Sequence, residues 1–132
     1  MTANSWDEVD ASTDGRHGAS SQAAVLVYIT VPDEKAGRRI AEALVERRLA
    51  ACVNMVPQIA SFYWWEGQMQ VDSEALLLAK TRSTLVPELR KAVAEMHPYS
   101  VPAISAIPLE SVHPPYLEWL LQETAAQPSE NN

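Results

Sequence analysis

Two side chains in this sequence have the chemistry to hold a soft metal ion. Cys52 is the single cysteine of the chain, and as a thiolate it suits Cu(I), with a methionine or histidine completing the donor set. His97 offers an imidazole where a helical stretch runs into a proline. Each also has a plainer role: Cys52 as a small core residue in an apolar strand, and His97 as a cap at a helix C-terminus. One cysteine allows no intramolecular disulfide, and the N-terminus lacks the basic-then-apolar pattern of a secretory signal, so a reducing cytoplasm is expected.

Catalytic sets are harder to place. His17 lies in a polar leading stretch and His113 precedes a double proline, so neither joins a Ser-His-Asp or Cys-His arrangement. An acylphosphatase would need an arginine in the loop after the first strand to cradle phosphate, but Thr30-Val31-Pro32-Asp33-Glu34 places carboxylates there. Binding is therefore expected rather than catalysis. The balance of 17 acidic against 10 basic side chains gives a net charge of -7, the wrong sign for holding a nucleic-acid backbone. No uninterrupted apolar run approaches the roughly 20 residues of a membrane-spanning helix.

The elements that must position these side chains lie between residues 23 and 124. Residues 1–22 are rich in Ser, Asp, Thr and Gly and read as a disordered tail in which only Trp6 could dock, and residues 125–132 read the same way. At 132 residues the chain holds one domain. Ala24 to Thr30 is apolar and β-branched, the pattern of a central strand buried on both faces. Pro32-Asp33-Glu34 opens a helix carrying Ala36, Ile40, Ala43, Leu44 and Leu49, and Arg38, Arg39, Arg47 and Arg48 read as its solvated face.

Cys52 to Trp65 reads as a long strand bent at Pro57, a residue a central strand accepts only at a bulge or an edge. Glu66-Gly67 suits a tight hairpin turn, after which the chain returns as a strand through Thr81. Ser83 or Thr84 is expected to cap a second helix with Pro87 in its first turn, ending at His97-Pro98. Ala103 to Ile107 is a fourth strand, and Pro114-Pro115 opens a short last helix. The order strand, helix, strand, hairpin, strand, helix, strand, helix matches a ferredoxin-like α+β split βαβ sandwich.

Such a sheet has helices on one face only. Yet Ala24 to Ile29, Ala75 to Ala79 and Ala103 to Ile107 are apolar at successive residues, which point to opposite faces. Trp64 and Trp65 are neighbours on one strand, so one of them must point away from the core that serves the other. At roughly 25 cal/mol per Å² and about 150 to 250 Å² per aromatic, an exposed indole forgoes several kcal/mol of gross burial. One short helix cannot cover a four-stranded sheet, so self-association is expected.

Five spaced motifs make the pattern specific: Leu49-Ala50-Ala51-Cys52-Val53-Asn54, Tyr63-Trp64-Trp65-Glu66-Gly67, Leu78-Ala79-Lys80-Thr81, His97-Pro98-Tyr99 and Tyr116-Leu117-Glu118-Trp119. From about Val25 to Glu123 the chain closely resembles the CutA family of divalent-cation tolerance proteins. The resemblance implies a ferredoxin-like homotrimer with sheets packed inward, hairpin strands pairing between subunits, and an association with copper or another divalent cation. The ligand region is drawn around Tyr63, Trp65, Lys80 and Tyr99, with His97 as the metal donor that matches the family and Cys52 as a second donor by its thiol chemistry. Copper binding in some members uses a cysteine on the first strand and two histidines before Pro-Tyr. Here those positions hold Ile29 and Met96-His97, which leaves one donor of three. Ser100 and Ala103 also stand where relatives commonly carry glutamate.

Two other readings fit this architecture. A signalling trimer of the PII type would bind a small anion between subunits, using Lys80, Arg82 and the first-helix arginines, although no glycine-rich phosphate loop is present. A trimeric scaffold would instead present its outer faces to other proteins.

Overall fold

A computed structural model describes residues 23–126. The readings made for residues 1–22, including Trp6, and for residues beyond 126 lie outside the described part. Eight elements follow in order: β1 (Ala24–Val31), α1 (Glu34–Glu46), β2 (Cys52–Trp65), β3 (Gln68–Arg82), a 3-10 turn (Ser83–Leu85), α2 (Val86–Met96), β4 (Ile104–Pro108) and α3 (Pro114–Glu123). The strands lie in the order β2-β3-β1-β4 and every pairing is antiparallel. This is the ferredoxin-like arrangement, with β1 central as its uncharged run requires. Among the described residues no helix is long and apolar enough to cross a membrane.

Local chemistry explains most boundaries. The Asp33 carboxylate accepts the Ala36 N–H at 2.8 Å and caps α1, a contact worth about 1 kcal/mol. The helix stops where Arg48 turns to φ 59°. The Arg48 N–H then reaches the Val45 carbonyl and the Leu49 N–H the Leu44 carbonyl, so the last carbonyls stay bonded. Glycine usually fills that left-handed position; the Arg48 guanidinium instead reaches across to Glu123 at the end of α3, 2.8 Å away.

Pro57 sits in the expected bulge. Val56 pairs with Leu76, but the next matched pair is Ile59 with Glu74. Glu66 and Gly67 have φ of 52° and 79°, the positive values a two-residue hairpin turn demands. The second helix departs from expectation at its start. Ser83 and Thr84 fall in the 3-10 turn, and α2 begins without a side-chain cap, with Pro87 in its first turn.

The core lies on one face. Val25, Val27, Ile29 and Val31 of β1 and Ala75, Leu77 and Ala79 of β3 meet Ile40 and Leu44 of α1 and Leu89 and Val93 of α2. On the other face α3 covers one end only. Leu120 is buried there, the Arg82 guanidinium donates to Thr124 Oγ1 and the Leu121 carbonyl, and Lys80 lies over the Tyr116 ring. Elsewhere on this face Tyr28, Val56 and Ile107 are exposed.

Neither indole of the Trp64-Trp65 pair reaches the core. The expectation that the core would serve one of them fails because β1 pairs only with residues 75–82 of β3. The rest of the β2–β3 hairpin, on from Ile59 and Glu74, runs past both helices as a free arm. Its aromatic residues stand bare on both sides, with Trp64 74% and Trp65 52% exposed.

Candidate ligand site

The base of this arm carries a pocket of about 490 Å³, whose walls include Thr30, Tyr63, Trp65, Glu74, Tyr99 and Val101. Tyr63 and Trp65 are two residues apart on β2 and so share a side of the arm. Tyr99 arrives from the segment after α2, and His97 sets its position. The His97 Nδ1 accepts the Tyr99 N–H at 3.1 Å, so its Nε2–H donates to the Thr30 carbonyl, 2.8 Å away. The two rings meet at a tilt of 48°, with 4.8 Å between centroids. The Tyr99 hydroxyl then donates to Glu74 Oε2 at 2.8 Å, and the Tyr63 hydroxyl donates to Asp72.

Glu74 is the unusual member. It is 8% exposed, and burying a carboxylate is costly unless it is paired. The two ion pairs among the described residues, Arg38–Glu34 and Arg48–Glu123, both lie elsewhere. No lysine or arginine is among the pocket walls. Among the described residues it receives one hydrogen bond, from Tyr99, and its other oxygen is open to the pocket.

Burial first, and then the Glu74 carboxylate that accepts its proton, hold the Tyr99 phenol above the usual tyrosine range. Tyr63 is raised too, chiefly by its hydrogen bond to Asp72. A raised phenol contributes stability that is complete below its unfolded value of about 10 and is lost as pH climbs through the folded value. An alkaline titration followed by phenolate absorbance should therefore show a phase above the usual tyrosine range, and Tyr99→Phe should diminish it. If all four tyrosines ionise together near their ordinary value, the Tyr99–Glu74 contact is absent in solution.

The six residues singled out from the sequence fall into two groups. Tyr99 bonds Glu74, Tyr63 and Trp65 share the walls of its pocket, and His97 stands behind Tyr99. Lys80 and Cys52, direct partners across β2 and β3, sit toward α3. Lys80 is six residues along β3 from Glu74, roughly 20 Å at strand rise, and is not among the pocket walls. Cys52 is half-buried, with its thiol 3.9 Å from the Asn54 side-chain oxygen. His97 bonds to Thr30, the partner of Leu76, whereas Cys52 pairs with Lys80, so the two donors stand about 13 Å apart along the sheet.

A copper site within one chain does not fit these residues. Both ring nitrogens of His97 are engaged, and the described residues hold no group of three or more His, Cys, Asp or Glu side chains placed to grip a metal ion. The sequence reading missed Glu74 and Asp72. Both were within reach of it, since a turn at Glu66-Gly67 sets Tyr63 opposite Gln70 and diagonal to Asp72, and Glu74 is a lone charge opening an apolar run.

The fold and pocket together define a ferredoxin-like domain with a protruding aromatic hairpin and an acidic, aromatic-walled cleft at its base. Comparison with known proteins places this architecture. Residues 25–123 match the model of the CutA1 divalent ion tolerance protein family. The chain is 50% identical to mouse Protein CutA over 97 residues, covering 74% of this chain and 55% of that protein, so it spans little more than half of that relative. It is 50% identical over 99 residues to the divalent-cation tolerance protein CutA of Thermus thermophilus, covering 75% of this chain and 96% of that one. The crystal structure of CutA1 from Oryza sativa superposes with a TM-score of 0.78 at 44% identity, over 82% of this chain and 99% of that one. The chain belongs to the CutA1 divalent ion tolerance family.

Proposed function

We propose that the protein is a cytoplasmic homotrimer that holds a positively charged ligand in the pocket around Glu74 and takes part in divalent-cation tolerance by binding rather than by catalysis. The buried Glu74 carboxylate carries this reading, since it faces the pocket without an ion pair. The same observation disfavours the anion-binding signalling reading, because an anion there would meet a like charge and no arginine or lysine. Lys80 and Arg82, two of the cations that reading uses beside the arginines of the first helix, are turned to Tyr116 and to the end of α3. Assembly is supported by Tyr28, Val56 and Ile107 on the bare sheet face and by Trp64, Met69 and Val71 on the arm, exposed apolar residues outside the walls of that pocket. Copper held by Cys52 and His97 would require donors from more than one chain.

The test pairs mass by light scattering with calorimetric titration of the purified protein against copper, zinc, organic ammonium ions and ATP. The expected result is a trimer that binds at least one cation but not ATP, loses that binding in Glu74→Gln and keeps it in Cys52→Ser. Binding of ATP with no cation of either kind would replace this reading by the signalling one. Copper binding lost in Cys52→Ser and His97→Ala but kept in Glu74→Gln would move the site to the soft donors.

A further inference from the structure

We infer that the cation this pocket takes is an organic ammonium ion bearing an N–H and an alkyl group, and not a bare metal ion. The inference rests on the proposed reading that the pocket holds a cation, and it narrows the class. A bare divalent ion needs a shell of donors: four for zinc, six or more oxygens for calcium or magnesium. The pocket offers one carboxylate, and one of its oxygens already accepts the Tyr99 hydroxyl. The His97 nitrogens are spent on Thr30 and Tyr99. Phenol oxygens that donate their protons to Glu74 and Asp72 are poor ligands for a hard cation, and the raised ionisation of both keeps those protons in place.

The same features suit an ammonium group. Glu74 Oε1 carries no hydrogen bond among the described residues, while Oε2 is fixed by Tyr99. The carboxylate is thus held in one orientation with an acceptor left over for a charged N–H, the stronger kind of hydrogen bond. The walls of the same pocket carry Tyr63, Trp65 and Tyr99, rings of the kind that attract cations, tryptophan most of all. Alkyl carbons of the ligand would lie against these rings and Val101, where a metal ion has nothing to bury. A cavity of about 490 Å³ accommodates a ligand of several heavy atoms.

Three four-carbon probes of the same shape isolate the charge: butylammonium, butanol and butyrate, titrated into the full-length protein alongside copper and zinc. Butylammonium should bind about tenfold or more tighter than butanol, with butyrate weakest. Trp65→Leu, which keeps apolar bulk but removes the indole face, should weaken butylammonium about fivefold and leave butanol nearly unchanged. Equal binding of butanol and butylammonium in the parent protein overturns the inference, and that comparison needs no variant to fold. If copper or zinc binds through Glu74 and butylammonium does not, this inference fails while the cation-binding reading stands. If no cation binds, both fail.

Discussion

With Tyr28→Asp and Val56→Asp combined, the protein should run at the 14.6 kDa of one chain instead of three times that mass. The two residues lie on the sheet face away from α1 and α2. Tyr28 pairs with Leu78, Val56 pairs with Leu76, and the alternation of β3 puts both partners opposite the buried Ala75, Leu77 and Ala79. Within a single chain both positions are exposed, so a carboxylate there meets water and the domain core is untouched. In an assembly packed through this face each carboxylate would be buried without a partner, at a cost of several kcal/mol, and every interface would carry two. That exceeds what a packed apolar face recovers at roughly 25 cal/mol per Å² from side chains of this size. Light scattering gives the mass, and circular dichroism shows whether the single chain keeps its fold. A double variant that retains the parent mass would remove the sheet face from the interface and leave the hairpin arm as the assembly element.

What could be read from the sequence follows from the distance over which each cause acts. The bulge at Pro57, the turn at Glu66-Gly67 and the Asp33 cap arise within a few residues of one another, and each appears where its own chemistry puts it. The central position of β1 was legible because an uncharged strand must be covered at both edges. The Ser83-Thr84 stretch misled because capping residues also favour a tight 3-10 turn, and the chain emerging from β3 takes that course before α2 begins. Trp64 and Trp65 misled for a longer-range reason: the reach of β1 along β3 decides whether they lie over helices, and no local pattern records that reach.

The site divides in the same way. Aromatic residues at its rim stood out by type, and Tyr63 and Trp65 were set on one side by alternation alone. Their meaning comes from carboxylates brought in by the fold. Glu74 reaches Tyr99 across 25 residues of sequence, and His97 reaches Thr30 across 67. A histidine before a proline reads as a helix cap. Here it closes α2 through its backbone, with its N–H on the Val93 carbonyl, while its ring ties the helix end to the first strand. Arg39 supplies a second tie, donating to the Met96 carbonyl at 2.9 Å. The segment bearing Tyr99 is thus anchored from both β1 and α1, which is how a residue outside any regular element is held against Glu74.

Gly37→Leu should destabilise the domain by about 3 kcal/mol, at the upper end of the range for overpacking, whereas Gly37→Ala should leave stability within about 0.5 kcal/mol of the parent. Gly37 is buried where α1 lies against the sheet. A Cβ at this position would stand 3.0 Å from Met55 Sδ, 3.3 Å from Val31 Cγ2 and 3.5 Å from Leu77 Cδ2. Alanine presses mainly on the flexible end of a methionine, which gives way easily, and the replacement of a mid-helix glycine gains up to about 1 kcal/mol of helix propensity. The two effects nearly cancel. Leucine adds three more carbons against Val31 and Leu77, both wholly buried, and α1 can admit them only by lifting off the sheet. Urea unfolding of the three proteins, compared by midpoint at unchanged slope, measures the difference. The displacement would also reach the pocket, because Val31 follows Thr30, whose carbonyl holds His97, and Arg39 on the lifted helix holds the end of α2. Gly37→Leu should therefore also lower the late tyrosine ionisation that marks the Tyr99–Glu74 contact, while Gly37→Ala preserves it. If leucine proves as stable as alanine, α1 does not approach the sheet this closely, and the coupling from helix to pocket fails with it.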